Sequence, residues 1–96
     1  MTYAFHPEAE AEFLAVIGFY ETREPGLGQD FAIEVYEAIQ RILSFPTAWP
    51  VLGGDVRRCL TKRFPFGILY TVESSGVFLL AVMHLRRAPD YWRERR

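Results

Sequence analysis

At 96 residues the chain is too short for two independent cores and long enough for one modest core without staples. Half of its residues are hydrophobic and 16% are aromatic, which excludes an intrinsically disordered chain. The formal charge of −1 excludes a uniformly basic or acidic protein, and the longest uncharged apolar stretch, the eight residues 13–20, falls far below the ~20 of a membrane-spanning helix.

Tyr3-Ala4-Phe5 reads as a short extended start. His6-Pro7-Glu8 then carries helix-start signals, with proline in the first turn and acids behind it. Ala9, Phe13, Val16, Ile17 and Tyr20 recur at spacings of three and four, which predicts an amphipathic helix to about Glu24. Pro25-Gly26-Leu27-Gly28 breaks it. A second periodic run, Phe31, Val35, Ala38, Ile39, Ile42 and Phe45, ends at Pro46, and so short a connection predicts an antiparallel helical hairpin.

Residues 46–55 have loop composition, with Trp49 pinning them to the core. After them the period changes. A strand rich in cations is expected from Val56 to Phe64, a turn at Pro65-Phe66-Gly67, and an alternating strand from Ile68. A second turn follows at Ser74-Ser75-Gly76, then an almost wholly apolar strand from Val77 to Leu85. Being apolar on both faces, that last strand belongs inside the sheet, with residues 3–5 available to flank it. The expectation is one α+β domain over residues 1–96, in the order β-α-α-β-β-β, with the helical hairpin packed on one face of an antiparallel sheet.

Charge is distributed unevenly along this order. Residues 1–50 hold two basic and eight acidic side chains, net −6, and residues 51–96 hold nine basic and four acidic ones, net +5. Eight of those nine cations are arginine, whose planar fork suits phosphates and carboxylates, so the second half is expected to meet an anionic partner. Arg57 and Arg58 open the first meander strand, Lys62 and Arg63 close it, and Arg86 and Arg87 follow the last. A meander brings these pairs near one surface, although neighbours within each pair point to opposite faces.

His84 is expected to share a strand face with Arg86, and Tyr91 and Trp92 follow a turn at Pro89. Cations beside an imidazole, a phenol and an aromatic plate would suit RNA phosphodiester cleavage, with His84, Tyr91 and Lys62 as the available proton carriers. The same residues admit structural readings: a hydrogen-bonded His84, a Tyr91–Trp92 clasp for the C-terminal segment, and an arginine pair that binds the acids of a partner. Glu8, Glu12, Glu21 and Glu34 read as solvated helix residues, and Cys59 as a packing residue. Neither a glycine-rich phosphate loop nor metal-ligand spacing of Cys and His is present in the sequence, so no metal or cofactor is expected. The start of the chain carries no leader pattern and the lone Cys59 cannot form an internal disulfide, which together predict a cytoplasmic protein.

Several ordered fragments resemble the RelE/ParE superfamily of type II toxin-antitoxin toxins. They are Phe5-His6-Pro7-Glu8-Ala9, Pro25-Gly26-Leu27-Gly28, Ile42-Leu43-Ser44-Phe45-Pro46, Val56-Arg57-Arg58-Cys59-Leu60, Arg63-Phe64-Pro65-Phe66-Gly67-Ile68-Leu69-Tyr70 and His84-Leu85-Arg86-Arg87-Ala88-Pro89-Asp90-Tyr91-Trp92. The resemblance implies a small bacterial toxin of a plasmid-stabilisation module, inhibiting growth until a cognate antitoxin neutralises it. RelE-type relatives cleave mRNA on the ribosome without a metal, and the nearest positional matches to such a set are Arg58, Lys62, Arg86 and Tyr91. ParE-type relatives bind DNA gyrase and have a longer helical hairpin, which the two substantial helices resemble more closely. Arg57, Arg63, His84, Arg87 and Trp92 would then contact target or antitoxin. Three functions follow in order: a gyrase-binding toxin, a ribosome-dependent endoribonuclease, and a non-toxic module that keeps only the antitoxin groove. That groove and the basic sheet should accept an amphipathic, acidic antitoxin segment.

Overall fold

Helix α1 (Pro7–Arg23) starts where the proline signal places it. In the computed structural model, which describes residues 1–88 and 90–95, His6 is its N-cap and His6 Nδ1 accepts from the Glu8 N–H at 3.0 Å. Pro7 takes the first position, where its missing N–H costs nothing, and Glu8 and Glu10 sit at the positive end of the helix dipole. Helix α2 (Leu27–Ser44) begins four residues before the periodic run that predicts it. The reason is Glu21, whose carboxylate accepts from the Gly26 and Gly28 N–H groups at 2.9 and 3.1 Å and so caps the new helix. Gly28 lets the two helices touch: a Cβ there would collide with the Ile17 carbonyl oxygen.

The sheet comprises β1 (Tyr3–Phe5), β2 (Val51–Gly53), β3 (Val56–Leu60), β4 (Phe66–Glu73) and β5 (Gly76–His84), in the order β1-β5-β4-β3-β2. Strands β2 to β5 pair antiparallel, but β1 runs parallel to β5, with Tyr3 opposite Val77. The antiparallel meander is as expected, and the parallel β1 makes the whole sheet mixed. Interior placement of the last strand, flanked by residues 3–5, agrees with the sequence reading. Strand β2 lies in the segment read as loop; its three residues pair with the start of β3. The first meander strand stops at Leu60 instead of Phe64 because buried Thr61 turns the chain, its hydroxyl donating to the Phe64 carbonyl at 2.6 Å and its N–H to the Phe66 carbonyl at 3.0 Å. Phe66 and Gly67 accordingly belong to β4, not to the turn.

The helical hairpin covers one sheet face. Phe13, Phe31, Val35, Ile39 and Ile42 pack on Cys59, Ile68, Tyr70, Leu79 and Val82, each side chain of this size contributing roughly 1.5–3 kcal/mol on burial. Cys59 is a buried packing residue, as expected. On the opposite, helix-free face, Val56, Leu69, Leu80, Ala81 and Met83 form a second cluster closed by Trp92.

A bulge decides which side chains reach each face. Leu69 pairs with Ala81 and Tyr70 with Leu79, so Leu80 is an extra residue in β5. Leu80 and Ala81 both belong to the helix-free cluster, and the residues after them change sides: Val82 joins the helix-side core.

Candidate functional site

Strand β4 starts, and β3 and β5 stop, at one end of the sheet. The Leu85 N–H donates to the Pro65 carbonyl at 2.9 Å, which holds the segment after β5 against the β3–β4 loop. The segments that carry Lys62 and Arg63 and that carry Arg86 and Arg87 therefore leave the sheet at the same end. A depression of about 280 Å³ lined by Ala4, Glu73, Ser75 and Phe78 lies at the far end of the sheet, away from the cations.

Most of the expected site residues have partners within the molecule. Arg63 Nε donates to Glu34 at 3.0 Å and its guanidinium lies 3.4 Å from Asp30. Glu34 also accepts from the Lys62 and Arg63 N–H groups at 3.0 and 2.9 Å, so it holds the loop from below. Burial opposes ionisation of Glu34, but these bonds outweigh it and hold its pKa below the ordinary carboxylate range. Arg57 faces the helix side of β3 and donates to the Trp49 carbonyl at 2.7 Å.

The bulge places His84 on the helix side, with its ring 5.1 Å from that of Phe66 and Nδ1 accepting from the Arg86 N–H at 3.0 Å. The expectation that His84 shares a strand face with Arg86 is corrected: β5 ends at His84, and Arg86 lies in the turn beyond. The Pro89 turn and Arg96 lie outside the described residues.

The C-terminal segment crosses the helix-free face and reaches around the edge of β5, beyond the short β1. Trp92 is only 3% exposed against the second core cluster. Arg95 donates to the Leu80 carbonyl and, at 2.9 and 2.7 Å, to both carboxylate oxygens of Glu12, which in turn accepts from the Val82 N–H at 3.0 Å. Two polar groups on the open edge of β5 are thus satisfied by side chains. Arg87 stands 3.7 Å from Glu12 and 3.7 Å over the Tyr91 ring, and Arg95 stands 4.8 Å over the same ring. Burial first, then the Glu12 anion, pushes the Tyr91 phenol up to about 12. Tyr91 and Trp92 form the clasp that was one of the two sequence readings.

Glu12 and Glu34 are corrected from solvated to structural carboxylates; Glu21 is exposed as expected while it caps α2, and Glu8 is exposed too. The signal was in the spacing. Glu12 follows Ala9 by three and Glu34 follows Phe31 by three, so each lies on an apolar stripe.

Arg58, Lys62 and Arg86 remain. Among the described residues these three form no ion pair, and all serve the same end of the sheet, Lys62 and Arg86 exposed and Arg58 half-buried. Arg58 projects from the helix-free face of β3, opposite Leu69. Such a group can bind separated anionic groups on a partner, while nearby phenol and imidazole are held in packing contacts.

No protein-family model and no curated protein sequence matches the chain. Among solved structures, a chain of "Chromosomal ParDE TA system from P. aeruginosa" matches with a TM-score of 0.78, over 90% of this chain and 97% of that one, at 17% identity. The fold is the one implied by the RelE/ParE resemblance. No helix among the described residues is long and apolar enough to cross a membrane.

Proposed function

We propose that this chain is the toxin of a type II toxin-antitoxin module, neutralised by a cognate antitoxin, and that it acts by binding DNA gyrase and not by cleaving RNA. The fold shared with a chain of a ParDE system supports the first part. Arg58, Lys62 and Arg86, exposed or half-buried and without ion pairs among the described residues, offer the positive surface that an acidic antitoxin segment would cover.

The observation that carries the second part is the position of Tyr91. As a general acid at neutral pH it would need access and a suitable pKa; instead it lies between two guanidinium groups against Glu12, with its pKa pushed up to about 12. His84 packs edge-on against Phe66 and its Nδ1 holds a backbone N–H. Of the three proton carriers only Lys62 is exposed. A binding role requires none of them.

The test has two stages. Inducing the chain alone in bacteria should arrest growth, and normal growth with folded protein present would defeat the toxin reading. The purified chain should then inhibit gyrase supercoiling while primer extension finds cellular transcripts intact. Cleavage within codons that Arg86→Ala abolishes would replace gyrase binding with the ribonuclease reading.

A further inference from the structure

Gly67 is the residue of β4 beneath the Arg58 side chain. It pairs with Leu60 on one side and Met83 on the other, two residues nearer the cationic end than Leu69, which is opposite Arg58 itself. A Cβ on Gly67 would lie 2.8 Å from Arg58 Cδ and 2.9 Å from Cγ, closer than carbon atoms can approach, whereas the next neighbour, Leu60 Cδ2, is at an ordinary 3.6 Å. The backbone of Gly67 is not left-handed, so its conformation does not demand glycine. What demands it is the arginine above. The aliphatic part of Arg58 lies in the notch that a missing side chain leaves, over a β4 residue nearer the end at which β3 and β5 stop than its own partner Leu69.

We propose that Gly67 is a positioning residue: it directs the Arg58 guanidinium across the sheet toward Lys62 and Arg86, so that the three cations meet carboxylates of an acidic partner segment together. This rests on reading those cations as the partner-binding surface. Without the notch Arg58 must rise off the sheet, which alters its direction and leaves its charge in place. Net charge therefore cannot account for the effect. The seated side chain also loses rotamer freedom before binding, and a fixed guanidinium gives up less on meeting an anion.

The probe is hexaglutamate, titrated into ¹⁵N-labelled protein at low ionic strength, for wild type, Arg58→Ala, Gly67→Ala and the double variant. Arg58→Ala should weaken binding about three- to five-fold, the size expected of a partly exposed ion pair. Gly67→Ala should weaken it nearly as much, yet have no further effect once Arg58 is absent. Unaltered affinity in Gly67→Ala, or an equal loss with and without Arg58, overturns the proposal. A second measurement needs no variant: ¹⁵Nε relaxation of Arg58 in the wild type should report restricted motion, and an order parameter below about 0.6 sinks the idea. Growth on induction is read in parallel. An intact binding cycle with unaffected growth defeats the toxin reading and leaves the positioning role; arrested growth with a flat cycle does the reverse.

Discussion

Replacing Glu12 with alanine should be among the most damaging single changes in this chain. Its carboxylate holds Arg95 by two hydrogen bonds and the edge N–H of Val82 by a third, with the Glu12 and Arg95 side chains only 14% and 8% exposed. Removing one member of a buried pair costs about 3–5 kcal/mol because its partner keeps a desolvated charge. A stranded N–H adds roughly 1–3 kcal/mol. Both figures are reduced here because the edge of β5 lets water in once the clasp opens, so about 3–4 kcal/mol is expected, a large share of the ~5–15 kcal/mol that stabilises a small domain. The melting temperature should fall by about 12–32 °C.

Urea denaturation of wild type, Glu12→Ala, Arg95→Ala and the double variant gives the coupling directly, and it should be about 2 kcal/mol. Because the pair is mostly buried, that coupling should persist between about 0.1 and 1 M salt, where an exposed pair would fade. A loss below about 1 kcal/mol for Glu12→Ala, or a coupling below about 0.5 kcal/mol, would refute the view that this clasp fixes the C-terminal segment.

Alkaline pH should destabilise the protein. Burial pushes both Tyr70 and Tyr91 up to about 12 from an ordinary value near 10, so the unfolded chain releases these protons first. Their contribution is complete below pH 10 and is lost as pH rises toward 12, by at most about 2–3 kcal/mol for each phenol. The Cys59 thiol, also raised by burial, adds in the same direction. Urea titrations across this range should show a shallower decline for Tyr91→Phe than for wild type, and identical slopes would contradict the burial of Tyr91. Gly28→Ala should lower the melting temperature by about 5–15 °C, since overpacking against the Ile17 carbonyl outweighs the ~1 kcal/mol that alanine gains in a helix. An unchanged or higher melting temperature would mean that the hairpin opens without strain.

What the sequence determined by itself is the set of elements and their class. Proline at position 7, the Pro25-Gly26 break, Pro46 and the Ser74-Ser75-Gly76 turn are local instructions, and the stripe of Phe31, Val35, Ala38 and Ile42 carries a helical period that no strand would share. Local geometry is enough to read them. Strand β2 escaped because its Val51–Gly53 stretch holds its conformation only by pairing with β3. The direction of β1 escaped too, since three residues carry no signal of which way their neighbour runs.

The allocation of charge belonged to the tertiary structure. Sequence separation hides the meeting of Glu12 with Arg95 and of Glu34 with Arg63, and those contacts determine which cations are committed within the fold. The bulge at Leu80 is equally invisible in a run apolar on both faces, where no alternation records a change of side, yet it carries His84 away from the helix-free surface. Composition supplied the positive charge of the second half. Only three-dimensional pairing decides which guanidinium groups are neutralised and, among the described residues, leaves Arg58, Lys62 and Arg86 without ion pairs.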